Sequence, residues 1–180
     1  IGYNWLNGLP AQTDSNQLKA WGSNPPVSVD VDIYNMSYGI GYDDDEITCN
    51  LPSFLSPTLE AGLINGINNL RGGKGAIYIK ASGNYYGTHT TADCGGSFSC
   101  AEMMMDRRSA VPYIIHVGAL QATGDVSSYT TPGAALWISG FGGEYGANSS
   151  YVAGDLLYQP AIMTTDQSGC TNGYVGSNGG

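Results

Sequence analysis

Three short stretches of this 180-residue chain carry residue types that can do chemistry. The first is Ser82-Gly83-Asn84, which follows directly on the apolar run Ala76-Ile77-Tyr78-Ile79-Lys80-Ala81. An asparagine just past a strand can aim its amide nitrogen into a cleft, where a fixed N–H donor stabilises a developing oxyanion. Asparagine after glycine is equally an ordinary turn residue. The second stretch is Ser37-Tyr38-Gly39, small and polar, at the end of another β-rich run. The third is Asp43-Asp44-Asp45-Glu46, whose oxygens suit a hard cation such as calcium or form a solvated loop. Of the two histidines, His116 lies inside an apolar run and reads as core or sheet face, while His89 follows the Asn84 segment. The cysteines are Cys49, Cys94, Cys100 and Cys170, an even number that suits two disulfides in an oxidising compartment. Cys94 with Cys100 is the favoured pair, because Thr91 to Cys100 reads as a small glycine-bearing loop, and Cys49 with Cys170 then follows by elimination. A zinc site from His89, Cys94 and Cys100 has irregular spacing and lacks a fourth ligand.

The elements that must position these residues alternate between strand and helix. Val27 to Tyr38 starts as an apolar–polar alternation and ends at Gly39, as a strand entering a sheet does. Ser56 caps a helix with Pro57 at its first position, Leu59, Leu63, Ile67 and Leu70 recur at helical spacing, and Arg71-Gly72-Gly73 ends it. Ala76 to Ala81, Tyr113 to Gly118 and Ala134 to Ser139 read as further strands. Upstream, residues 1 to 26 suggest a strand remnant and then a loop or short helix, stopped at Asn24-Pro25-Pro26. Strand, helix, strand at this spacing is a βαβ crossover, so the fold class is α/β with a mainly parallel sheet flanked by helices. In such sheets ligands bind beyond the carboxyl ends of the strands, which here are Ser37 to Gly39 and Ser82 to Asn84.

Composition narrows the function. Fifteen acidic against six basic residues give a net charge of −9, and only 12% of residues are charged, which argues against a nucleic-acid binder and against disorder. Twenty-seven glycines and eight prolines without a Gly-X-Y period imply many tight turns and exclude collagen-like and coiled-coil folds. No apolar run reaches the ~18–20 residues of a membrane span, and Ile1 to Leu6 lacks a basic leader, so no membrane partner is expected. The length suits one domain over residues 1–180 without an internal boundary. Gly140 to Gly143 and Gly72-Gly73-Lys74 lack the context of nucleotide-binding loops, and Asn148-Ser149-Ser150 fits a glycosylation acceptor. Met103 to Met105 reads as apolar packing.

The order and wording of the segments resemble the subtilisin-like serine proteases, most of all the kexin and furin branch. The resemblance covers roughly residues 27 to 180. It rests on Val31 to Gly39, Lys74 to Asn84 and Tyr113 to Ala119, then Ser127 to Gly133, Leu136 to Ser139, Ile162 to Asp166, and Cys170 ahead of Gly179-Gly180. It implies a subtilisin-like fold present as part of one peptidase domain, a secreted serine endopeptidase as the parent protein, and a polypeptide substrate. Asn84 then resembles the side-chain donor of the oxyanion hole. Ser37, Tyr38 and Gly39 resemble one wall of the substrate cleft, and Ala81, Ser82 and Gly83 the other, with the peptide pairing as an added strand. Asp106, seven residues before Tyr113, stands where the branch has an aspartate that helps bind a basic side chain; the other reading is a surface aspartate paired with Arg107 or Arg108. Subtilases often fold with a propeptide or a partner chain, so a chaperone is an expected partner.

The departures matter too. The family's Asp, His and Ser relay is not in place: its first two motifs belong upstream of Ile1, and the nucleophile motif would start where Gly180 stops. Neither histidine stands in a His-Gly-Thr context. The expectation is that these 180 residues alone do not turn over substrate. The other reading is a non-catalytic peptide-binding module on a subtilase scaffold. The chemistry needs no cofactor. Structural calcium is a candidate at Asp93 and Asp43 to Glu46, although the branch's own ion site would need an acid where this chain has Thr131. Tyr38 replaces the family's tryptophan and keeps an aromatic platform.

Overall fold

The computed structural model describes residues 10, 12–23, 29–39, 54–84, 106–145 and 160–162. The four cysteines, His89, Asp93, Asp43 to Glu46, Met103 to Met105 and the Asn148 acceptor lie outside the described residues. In chain order the elements are α1 (Asp14–Ala20), β1 (Ile33–Met36), α2 (Pro57–Gly73), β2 (Ile77–Ala81), a 3₁₀ turn (Arg107–Ala110), β3 (Ile114–Leu120) and β4 (Leu136–Phe141). The strands form one sheet in the order β1-β2-β3-β4, with β1 parallel to β2 and β2 parallel to β3. This is the expected α/β fold with a parallel sheet and helices. The first strand is shorter than its alternation suggested, because Val29 and Asp30 are in a turn and pairing starts only at Ile33.

The α2 signals act as read. Ser56 Oγ accepts from the Leu59 amide at 3.4 Å, Pro57 follows the cap, and Leu59, Leu63 and Leu70 are buried on one face. Regular helix ends at Leu70, where ψ turns extended, and Arg71 and Gly72 take positive φ of 55° and 65°. Two glycines on the buried face let neighbours approach closely. A Cβ at Gly62 would collide with Leu18 of α1, and one at Gly66 would collide with the Tyr78 hydroxyl of β2. That hydroxyl donates to the Trp21 carbonyl at 2.7 Å, and Tyr78 stacks on Tyr34 at 4.9 Å between ring centroids.

Register places Tyr34, Tyr78 and Ile114 in one row across β1, β2 and β3, and Met36, Lys80 and His116 in the next, nearer the carboxyl ends. All six are buried on the same sheet face. The first row joins Trp21, Leu59 and Leu63 in the core. The second places a lysine and a histidine where a parallel sheet has its ligand end.

The contacts divide the chain into two compact units, residues 1–118 with 129–138, and 119–128 with 139–180. In the second, Ser127 Oγ donates to the Gly143 carbonyl at 2.7 Å. Buried Glu144 accepts from the amide and, at 2.7 Å, the hydroxyl of Ser128, and Gly143 bridges antiparallel to Ala161.

Candidate functional site

Two adjacent parallel strands end side by side, and the site is built on those ends. Because Met36 is level with Lys80, Ser37 to Gly39 leave β1 beside Ala81 to Gly83 at the end of β2. The second stretch is fixed from behind: the Ser82 amide donates to the Val117 carbonyl at 3.0 Å, and the Thr131 amide donates to the Gly83 carbonyl at 3.1 Å. Gly83 takes φ of 112°, a conformation closed to most side chains. Asn84 follows in a bend and is exposed. Tyr38 is half-buried, and its hydroxyl accepts from Trp21 Nε1 at 2.9 Å, which ties the first stretch to the core.

Asp106 lies behind the first stretch. A Cβ at Gly39 would come within 3.5 Å of Asp106 Oδ2 and 3.9 Å of Lys80 Nζ. The aspartate is 5% exposed, so it is no surface residue. Its Oδ1 accepts from the Arg108 amide at 2.9 Å and from Arg108 Nε at 2.8 Å, and its Oδ2 accepts from Arg108 Nη2 at 2.8 Å. Lys80 Nζ is 3.3 Å from the same Oδ2. Arg108 is thus held in a fork on one carboxylate, and its guanidinium also lies 5.1 Å from the centre of the Tyr38 ring.

Burial alone would push the Asp106 carboxyl upward, but its bonds to Arg108 and the charges of Arg108 and Lys80 outweigh that and hold it below the usual carboxylate range. Burial pulls the Lys80 ammonium below the ordinary lysine value, with Asp106 opposing and Arg108 adding to the shift. His116 is 1% exposed and neither ring nitrogen has a well-formed hydrogen bond among the described residues; burial together with the nearby Lys80 charge lowers its pKa, against the opposing pull of the Arg108 backbone and Asp106. The row that ends the sheet is therefore ionic, with two cations on one carboxylate beside a histidine held neutral.

The structure brings together Ser37, Tyr38, Gly39, Ala81, Ser82, Gly83 and Asp106, with Asn84 at the exit of the second stretch. Of the two sequence readings of Asp106, the surface aspartate paired with Arg107 or Arg108 is corrected in its placement: the partner is Arg108, and both side chains are buried. Sequence reasoning missed Lys80 altogether. The available signal was the lysine itself, a charge inside an otherwise apolar strand. The ion position carried over from the kexin branch falls on Thr131, which is neutral and buried, and no group of three or more His, Cys, Asp or Glu side chains suited to a metal occurs among the described residues. No helix among them is long and apolar enough to cross a membrane.

Comparison with known proteins gives this geometry a family. An extracellular serine protease of Aeromonas sobria is 29% identical over 187 residues, covering 96% of this chain and 26% of that protein. A proprotein convertase subtilisin/kexin type 5 of Branchiostoma californiense is 29% identical over 168 residues, covering 92% of this chain and 8% of the relative. The solved structure of the Aeromonas sobria serine protease in complex with its chaperone superposes with a TM-score of 0.69 at 25% identity, over 94% of this chain and 27% of that one. The chain thus spans about a quarter or less of the relatives it matches. The model of the subtilase family matches residues 8–172, across both compact units, and this chain belongs to that family.

Proposed function

We propose that the whole protein is an extracellular serine endopeptidase, and that this chain supplies the substrate cleft and the oxyanion donor of a single peptidase domain. The observation that carries the reading is the placement of Ser37 to Gly39 beside Ala81 to Gly83 at the carboxyl ends of two parallel strands, with Asn84 exposed at the exit. A peptide laid along these stretches would bond to their backbone as an added strand. Its scissile carbonyl would then meet the Asn84 amide as a serine attacks it. On this reading the serine and its histidine and aspartate belong to parts of the whole protein outside this chain.

The finer part of the proposal concerns the residue before the scissile bond. Similarity to a kexin-type convertase supports a preference for arginine or lysine there, with Asp106 as the selecting acid. Similarity to an extracellular protease supports secretion, and the solved relative in complex with its chaperone supports a folding partner. No cofactor enters the reaction. Calcium, if held at Asp93 and Asp43 to Glu46, has a structural role only.

The test is Asn84→Ala in the whole protein, assayed on peptides that the unaltered protein cleaves. Losing one oxyanion donor lowers kcat by about 10²–10³, with KM and the unfolding midpoint little changed. A normal kcat would remove Asn84 from the mechanism. Peptide binding without turnover by the unaltered protein would favour the non-catalytic module.

A further inference from the structure

Lys80 belongs to β2, whose other core-facing position, Tyr78, is aromatic, and it is 3% exposed. Its ammonium donates to the Ala81 carbonyl in one cleft wall at 2.8 Å, lies 3.3 Å from Asp106 Oδ2, and would lie 3.9 Å from a Cβ at Gly39 in the other wall. It therefore sits at the base of the two walls, on the carboxylate oxygen nearest to Gly39. Arg108 already satisfies Asp106 through both oxygens, so the lysine is not needed to neutralise the acid. As a packing element it is the costly choice. A methionine would fill nearly the same volume without desolvating an ammonium.

We propose that Lys80 is a specificity-determining residue, an internal cation occupying the place on Asp106 Oδ2 that a substrate's arginine or lysine side chain would take, and so weakening the preference for basic residues that Asp106 would confer. The inference rests on reading the two walls as a peptide cleft with Asp106 as its selecting acid. With Lys80 and Arg108 both charged, the base of the cleft carries one carboxylate against two cations. A third cation from substrate must displace the lysine or meet its repulsion. Without Lys80, Asp106 and Arg108 cancel, and Oδ2 is left with room for a second donor.

The experiment uses the whole protein and two peptide substrates that differ only in arginine or leucine before the scissile bond. The readout is the ratio of their kcat/KM values, with benzamidine affinity measured in parallel by calorimetry. Lys80→Met is expected to raise the arginine-to-leucine ratio and to tighten benzamidine, each by roughly tenfold, the worth of one charge-assisted hydrogen bond. Asp106→Asn in the same background should erase both gains, which a merely structural role for Lys80 would not do. An unchanged ratio overturns the proposal, and so does benzamidine binding that is equal in, or absent from, both proteins. If no form cleaves either substrate, the peptidase reading falls, while benzamidine still reports on Lys80. Lys80→Gln serves if the methionine variant does not fold.

Discussion

His116 is the residue whose chemistry is most constrained by its surroundings. It is 1% exposed, its two nitrogens have no well-formed hydrogen bond among the described residues, and its strand neighbour is Lys80. Among the described residues the other charged groups near it are Asp106 and Arg108, which satisfy each other. A proton on His116 would put a third cation into that space, so the folded state holds the ring neutral and its pKa lies below the value near 6.5 of an unfolded chain. As pH falls, the unfolded chain therefore binds the proton first, and stability declines from about pH 6.5 downward until the folded-state pKa is reached. Each unit of depression corresponds to about 1.4 kcal/mol. The Asp106 carboxyl is shifted in the same direction, and its contribution is lost at lower pH, as pH falls from the ordinary carboxylate value toward the folded-state one, so the two windows separate. The expected result is a thermal midpoint that drops between pH 7 and 5.5 in the unaltered protein and drops less in His116→Met. Parallel midpoints would show that His116 does not govern acid sensitivity.

The central crossover shows what the sequence made legible. Ser56, Pro57 and the leucine spacing identify α2, and the short apolar runs identify β2, β3 and β4, because capping and periodicity are local properties. What sequence spacing does not carry is the close approach between elements. Gly66 reads as an ordinary, slightly unfavourable helix residue, yet its missing Cβ is what admits the Tyr78 hydroxyl, which goes on to the Trp21 carbonyl. Gly66→Ala is therefore expected to destabilise the protein by roughly 1–3 kcal/mol through overpacking, against the ~1 kcal/mol that alanine gains in an open helix. In a Tyr78→Phe background the penalty should shrink, because the hydroxyl oxygen is the atom closest to the added Cβ, ahead of the ring carbons behind it. Chemical denaturation of the four proteins checks this, and equal penalties in both backgrounds would place the strain elsewhere. The candidate site divides the same way. Its two walls and Asn84 are contiguous words at strand ends and could be found in the sequence. The ionic row joins Lys80, Asp106 and His116 from separate segments, and only register and burial bring them together.

For the whole molecule, the edges of the sheet carry the argument. The strand order leaves β1 and β4 outermost among the described strands, and both present apolar side chains to solvent. Ile33 is 54% exposed on β1, and on β4 Trp137 and Ile138 are 71% and 59% exposed. Consecutive strand residues point to opposite faces, so neither face of β4 at Trp137 and Ile138 is covered by the described residues. Open, apolar strand edges pair readily with other chains, and nothing at Trp137 or Ile138 places a charge or proline to prevent it. The matched relatives are about four times as long or longer, which leaves ample polypeptide to cover such an edge in the complete protein. The 180-residue chain produced by itself is accordingly expected to self-associate at micromolar concentrations, despite a net charge of −9 that favours dispersal. Lysine at both Trp137 and Ile138 should shift the isolated chain toward monomer in sedimentation velocity. In the complete protein the same pair of substitutions should instead lower the unfolding midpoint, because there the two side chains would be buried. A monomeric isolated chain, together with a complete protein indifferent to the substitutions, would mean that this edge is solvent-facing in the complete protein and that its apolar residues have some other use.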